Sequence, residues 1–313
     1  MRRGPRVGAA LWAAAALACG GEGRPAAQED AATARDSGSP NAPEMGLARY
    51  ALGGAPAWRA ALPDELHEVS GLAVTSDGRL FAHGDEAGTI YQVDPRAGKI
   101  LARFSLSSEG VEADLGKKRT DSHLTGDFED LAIVGQRFFL VTSNGVLLEF
   151  AEGKDGAEVP VTTHVTGLED VCEIEGLAHA RADETLLLLC KTMRDKSARA
   201  QVAVYAWSLA DRKLGASPRL SVPWSALAPL TGGKGFNGSA LAVTPDGRSL
   251  AMVAGPQQLF AEVTPEGAPV TGGALDPAVH PQPEGLAFLP DGTLLVANEG
   301  DKGQASISGY RPR

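Results

Sequence analysis

The stretch Glu173-Ile174-Glu175-Gly176-Leu177-Ala178 decides the fold, because imperfect copies of it recur at Glu68 to Ala73 (EVSGLA), Asp127 to Ala132 (DFEDLA), Asn237 to Ala242 (NGSALA) and Gln282 to Ala287 (QPEGLA). A phrase repeated at intervals of this size marks a propeller, solenoid or array rather than one continuous core. Every copy ends in Leu-Ala, and the third position reads Ser70, Glu129, Glu175, Ser239 and Glu284. Three carboxylates therefore occupy one repeated position, while position four and the Leu-Ala pair read as packing residues of a strand.

Working outward, the first copy opens a unit of four short apolar runs: Gly71 to Ser76, Leu80 to Asp85, Thr89 to Asp94 and Lys99 to Phe104. The first two are joined by Asp77-Gly78, a strong hairpin signal between alternating apolar residues. The same pair returns at the same offset as Asp246-Gly247 and Asp291-Gly292. Each copy thus heads a four-stranded meander, and the reading is an all-β, closed β-propeller of five blades. The last unit stops one strand short at Arg313, and the segment around Trp58 is expected to supply the missing strand, since ring closure removes a free sheet edge. Third positions lie 59, 46, 64 and 45 residues apart, which leaves six blades as the alternative. The surplus at Ser105 to Gly126 and Leu214 to Phe236 reads as loops over one end of the ring.

Composition agrees with this class. A chain of 313 residues with 43% hydrophobic content buries a full core, and 38 glycines with 20 prolines favour short strands and tight turns. The formal charge of −10, with no basic patch beyond Lys117-Lys118-Arg119, argues against a nucleic-acid partner. Residues 1–19 read as an export signal: Arg2, Arg3 and Arg6, an apolar run from Val7 to Leu17, then Ala18-Cys19. The ending Ala16-Leu17-Ala18-Cys19 resembles a lipoprotein cleavage box and implies lipidation of Cys19, with ordinary cleavage as the alternative because Ala16 departs from the usual larger residue. Loss of residues 1–18 leaves 26 basic against 39 acidic side chains, a charge of −13. Residues 20–47 read as a flexible tether and 48–313 as the propeller domain. The expected location is outside the cytoplasm, on an outer-membrane lipid anchor that is the only membrane contact, facing periplasm or cell surface.

Strand alternation places phrase positions one and three on one face. The channel mouth is then lined by Glu68 and Ser70, Asp127 and Glu129, Glu173 and Glu175, Asn237 and Ser239, and Gln282 and Glu284. Converging carboxylates repel one another and call for protonation, basic partners or a cation.

These phrases, with the Asp-Gly turn and the short acidic segment after the second strand, resemble the SdiA-regulated (YjiK-like) propeller family over about Glu65 to Arg313. Less closely they resemble esterase-like phytase and regucalcin-type lactonase propellers. In lactonase propellers the residue before Gly-Leu-Ala ligates metal, which the resemblance carries over to Glu129, Glu175 and Glu284; Ser70 and Ser239 depart from it. Asp85, Asn144 and Asn298, ending the second strands, form an expected second ligand layer, with Glu86, Glu299 and Asp301 nearby. An all-oxygen set suits a divalent cation, Ca²⁺ before Mg²⁺ or Zn²⁺. The competing reading is that Lys117, Arg119, Lys191, Arg194 or Lys234 neutralise these acids, and that Asp85 and Asn144 are turn residues.

Nucleophile signatures are missing: there is no G-x-S-x-G elbow, no H-E-x-x-H and no Walker loop. His83, His123, His164 and His179 are scattered. The functional expectation is a small molecule or protein ligand held at the acidic mouth, with a metal-dependent hydrolase of lactones or phosphoesters as the alternative and an interaction scaffold as a third reading, which 5% aromatic content weakens. Cys172 and Cys190, flanking a hairpin centred near Arg181, are expected to face each other and form a disulfide.

Overall fold

The computed structural model describes residues 46–117, 124–301 and 303–313. The signal, Cys19, most of the tether, Arg119 and His123 lie outside them. Within them the chain forms a five-bladed propeller. Blade I is Val69–Val74, Leu80–Gly84, Thr89–Val93 and Ile100–Leu106; blade II is Phe128–Val134, Arg137–Thr142, Val146–Ala151 and Thr162–Val165. Blade III runs Cys172–Ala180, Thr185–Met193 and Gln201–Ser208, with Lys213–Leu214 and Leu220–Pro223 both pairing to its third strand. Blade IV is Ala240–Val243, Leu250–Ala254, Leu259–Val263 and Pro269–Ala274. Blade V is Pro283–Phe288, Leu294–Asn298 and Ser306–Tyr310, and its outer strand is Trp58–Ala61, antiparallel to Ser306–Tyr310. The expected closure by the Trp58 segment is therefore present. Asp-Gly turns join the first two strands of blades I, IV and V, and Gly78, Gly247 and Gly292 take φ of +88°, +71° and +81°, the region that favours glycine.

The Leu-Ala pair explains how the blades join. A blade's two faces look toward its two neighbours, so successive side chains of an inner strand point to opposite neighbours. Leu131 lies in one apolar cluster with Ala73 of the preceding blade, Leu177 with Ala132, Leu241 with Ala178, Leu286 with Ala242, and Leu72 with Ala287 across the ring closure. Each interface is thus seeded by a large residue on a small one, and each buried leucine contributes about 1.5–3 kcal/mol.

Two expectations are corrected. The surplus at Leu214 to Phe236 is not a loop over the ring end: it holds the strand Leu220–Pro223 and a short α-helix, Trp224–Thr231, whose Leu227 joins Leu220, Val222 and Phe236 in the cluster between blades III and IV. Trp224 Nε1 donates to Phe236 O at 3.1 Å and fixes the helix start. The hairpin of blade III has a different register from the one read off the sequence: Cys172 pairs with Met193 and Cys190 with Ile174, because bulges flank Ile174. The Cys172–Cys190 disulfide forms all the same, diagonally, with Cα atoms 5.7 Å apart.

Leu177→Ala should lower stability by about 2–5 kcal/mol, the cost of deleting a well-packed core leucine, whereas Leu101→Ala, at an exposed position, should change the urea midpoint little. Equal midpoints would contradict the packing. The Cys172→Ser variant should lose about 2–4 kcal/mol under non-reducing conditions.

Candidate functional site

The repeated phrase begins each inner strand with a defect. In blade I, Val69 pairs with Gly84 and Gly71 with His83, skipping Ser70; Glu129, Glu175 and Glu284 are skipped in the same way in blades II, III and V. In blade IV both Ser239 and Ala240 face Val253. A β-bulge of this kind sets two residues against one, bends the strand and re-aims a side chain. Simple alternation of positions one and three, as read from the sequence, is replaced by a bulge at position three in every blade. Position two, Val69, Phe128, Ile174, Gly238 and Pro283, is buried throughout; position three, the bulged residue, is buried at Ser70, Glu175 and Ser239 and half-buried at Glu129 and Glu284, toward the mouth.

There, Glu129, Glu175 and Glu284 share the field of Lys191, from the second strand of blade III, whose Nζ pairs with Glu175 Oε1 at 2.6 Å and acts on the other two through charge alone. Burial, then repulsion from Glu175 and Asp127, pushes the Glu129 carboxyl up to about 10, with Lys191 opposing. Burial and Glu175 push Glu284 up to about 8. Burial raises Glu175 as well, to about 7, with Lys191 pulling the other way. Burial disfavours the charge on Lys191, but Glu175, Glu284 and Glu173 outweigh it and hold the ammonium. Gly255 makes room for Glu284, since a Cβ there would lie 2.7 Å from its Oε1. Ser239 Oγ donates to Pro283 O at 2.7 Å and accepts from Gly255 N–H at 2.8 Å. Asn237 Nδ2 donates to Lys191 O at 3.0 Å and its Oδ1 accepts from Gln257 at 2.7 Å.

A second acidic group lies beside blades I, II and V. Lys117, carried by the Ser105 to Gly126 surplus, is 3.0 Å from Asp85, 3.1 Å from Glu86 and 3.7 Å from Asp127; Ser143 Oγ also donates to Asp127. Among the described residues, Glu68, Glu299 and Asp301 form a group whose ligand atoms all lie within 4.8 Å of one another. Burial, then Asp301, Asp85 and Glu68, raises Glu299 to about 7, and Gln282 donates to its carboxylate.

Of the six expected metal ligands, the structure brings Glu129, Glu175 and Glu284 into one electrostatic group but sets the other three apart. Asn298 is fully buried, with Oδ1 3.1 Å from His280 Nδ1 and Nδ2 turned to Ser306. Asn144 accepts from Thr142 at 2.6 Å and donates to Asp114 O at 2.9 Å, holding a loop. Asp85 pairs with Lys117. The basic partners weighed in the sequence are therefore partly realised, by Lys117 and Lys191. Arg194 instead donates to Glu169 O. His164 pairs with Glu149 at 2.9 Å and His179 stands at the opposite end of the channel.

One residue escaped the sequence reading. Asp130, at position four where the other blades have Gly71, Gly176, Ala240 and Gly285, is buried and accepts the N–H of Leu131 at 2.8 Å and of Leu177 at 2.7 Å. Burial holds its carboxyl well above the usual range although these N–H groups oppose it. His83 is also buried, its Nδ1 2.9 Å from Gly84 O and its Nε2 without a partner; burial pushes its pKa down to about 4. A Cβ on Gly71 would lie 2.5 Å from His83 Nε2 and 2.7 Å from Asp130 Oδ1, so this waist depends on glycine. The signal was available: a charged residue at a position otherwise held by Gly or Ala.

No protein-family model matches the sequence and no curated protein matches it, so the resemblance to SdiA-regulated propellers rests on the phrases alone. Solved structures do match in fold. Myxococcus xanthus glutaminyl cyclase aligns with a TM-score of 0.52 at 13% identity, over 82% of this chain and 97% of that one. The PQQ-bound aldose sugar dehydrogenase of Streptomyces coelicolor aligns at 0.48 and 11% identity, over 83% and 100%, and a luciferin-regenerating enzyme at 0.48 and 10%, over 80% and 94%. What the glutaminyl cyclase shares with this chain is the fold alone.

The raised carboxyls give a pH signature with a definite sign. A carboxyl whose pKa is higher in the folded than in the unfolded chain binds more protons when folded, so its contribution to stability falls as pH rises from the ordinary carboxylate range through the folded value. Glu284→Gln removes that loss. At pH 8.5 it should raise the melting temperature by about 2–4 °C, the shift that about 1 kcal/mol produces, and at pH 4.5 it should raise it less. A gain independent of pH would refute the assignment.

Proposed function

We propose that the acidic end of the channel binds a small cationic ligand. The observation that carries this reading is the surplus of carboxyls over ammonium: buried Glu175 and half-buried Glu129 and Glu284 against the single Lys191, with Glu284 and Glu129 raised to about 8 and about 10. Burial first, and repulsion from Glu175 second, raise these carboxyls; an incoming cation offsets both, so binding releases protons and strengthens as pH rises. A protein partner at the same mouth is the broader form of this reading; the acidic surface makes nucleic acid a poor one.

A divalent cation, Ca²⁺ first, is the simplest such ligand. Its oxygen donors would be Glu68, Glu299 and Asp301, whose atoms converge, rather than Glu129, Glu175 and Glu284, where Glu175 already pairs with the Lys191 ammonium. Bound there, the ion would hold Glu299 deprotonated, although burial and the neighbouring carboxylates otherwise raise that carboxyl to about 7, and it would supply Lewis acidity at the mouth. Lewis acidity at that place is what favours the second reading, a metal-dependent hydrolase of lactones or phosphoesters. We also place the protein outside the cytoplasm on a lipid anchor at Cys19, facing periplasm or cell surface; the disulfide of blade III supports an oxidising compartment.

Calorimetric titration with Ca²⁺, Mg²⁺ and 1,4-diaminobutane tests the cation site. Saturable binding of at least one of them is expected, with a melting-temperature rise by mass action that Glu284→Gln weakens for the diamine and Glu299→Gln weakens for Ca²⁺. If none binds at pH 8, the proposal fails; hydrolysis of a lactone or phosphoester that needs the bound ion would favour the second reading. For the anchor, labelled palmitate should be incorporated into the expressed chain and not into Cys19→Ala, and label retained by that variant would refute it.

A further inference from the structure

The acidic mouth is one end of the channel; the other end has different chemistry. A cavity of about 710 Å³ opens there, within the range of small-molecule sites, roughly 300–1,000 Å³. Its floor is the leucine ring of the repeated phrase, and no residue from the first four phrase positions lines it. The cavity therefore ends short of the acidic mouth, at the level where Asp130 ties Leu131 and Leu177 together. The walls come from the residue after each Leu-Ala pair: Val74, Ile133, Val243 and Phe288 are half-buried apolar side chains facing a recess, and the fifth is His179. The His179 Nε2 is buried and makes no hydrogen bond among the described residues, with Glu184 Oε1 at 3.8 Å.

Charge at this rim is opposite in sense to that of the other mouth. Arg49, Arg181 and Arg219 stand against Asp183 and Asp291. Arg219 pairs with Asp183, and Asp291 accepts the Thr293 N–H at 2.9 Å as part of its turn. An apolar recess with an arginine rim and an unused imidazole nitrogen selects a ligand with a hydrophobic body and one anionic head.

We propose that this cavity is a second binding site, for a small amphiphilic organic anion whose apolar body rests on the leucine floor and whose carboxylate or sulfonate reaches Arg181. It is independent of the cation site at the other end. A blind recess of this size takes a compact molecule; an extended peptide would instead need an open groove or a free strand edge.

The probe is the aromatic sulfonate 8-anilinonaphthalene-1-sulfonate, titrated into the full folded chain and followed by fluorescence. Saturable binding of one probe per chain is expected. Arg181→Glu, a substitution at an exposed position that leaves the core untouched, should weaken it about tenfold by reversing the rim charge. Ile133→Trp should remove saturable binding by filling the recess, and Glu284→Gln, at the other mouth, should bind as the unmodified chain does. Binding that never saturates, or equal affinity in the unmodified chain and Arg181→Glu, would overturn the proposal. So would a loss in Glu284→Gln, which would put the probe at the acidic end. Failure of the cation titrations leaves this result unaffected, because the two sites share no residue.

Discussion

Everything else in the ring depends on a leucine of each inner strand lying on the alanine of the blade before it. Radial blades present two apolar faces, and where they approach most closely there is no room for two large residues. A large–small pair solves this once, and repeating it closes the ring: Leu72 meets Ala287 as Leu131 meets Ala73. The clusters grow outward from these contacts, through Phe81, Phe138 and Phe150 between blades I and II and Trp207 between blades II and III. A ring held this way tolerates variation at its outer strands, which is why blade III carries two short ones and a helix there.

Tight packing at the axis leaves the free edges of the inner strands facing one another, and their N–H groups need partners. Asp130 meets that need for Leu131 and Leu177 with one carboxyl. It does so only because position four is small in the other blades. The bulge at position three follows from the same geometry: the strand must bend as it leaves the waist, and the bend turns the third residue outward, where a carboxylate keeps company with Lys191 rather than with a leucine.

Legibility divides along these lines. The phrases, the Asp-Gly turns and the missing last strand specify blade number, strand order and ring closure, because they are local signals repeated five times. Cys172 and Cys190 were legible as a pair even though their register was not, since bulges beside Ile174 shift the hairpin without moving the sulfurs out of reach. The hydrogen bonds of Asn144 and Asn298 were not legible, because the end of a strand says where a backbone stops and nothing of where a side chain turns. Both point into hydrogen bonds made with distant residues, Asp114 and His280. Lys191 was legible only as one base among several, because its neighbours come from three different blades.

A single phrase gives the channel two unlike ends. Its first three positions set polar and acidic groups at one mouth; its last two, with the residue that follows, line the other with Leu, Ala, Val, Ile and Phe. Between them lies the buried Asp130, its two carboxyl oxygens engaged by the N–H groups of Leu131 and Leu177 and its charge disfavoured by burial. The axis therefore carries two chemistries, one at each end. A molecule bearing both a cationic and an anionic group is drawn to different ends by each, so each end discriminates by the charge it repels as much as by the one it attracts.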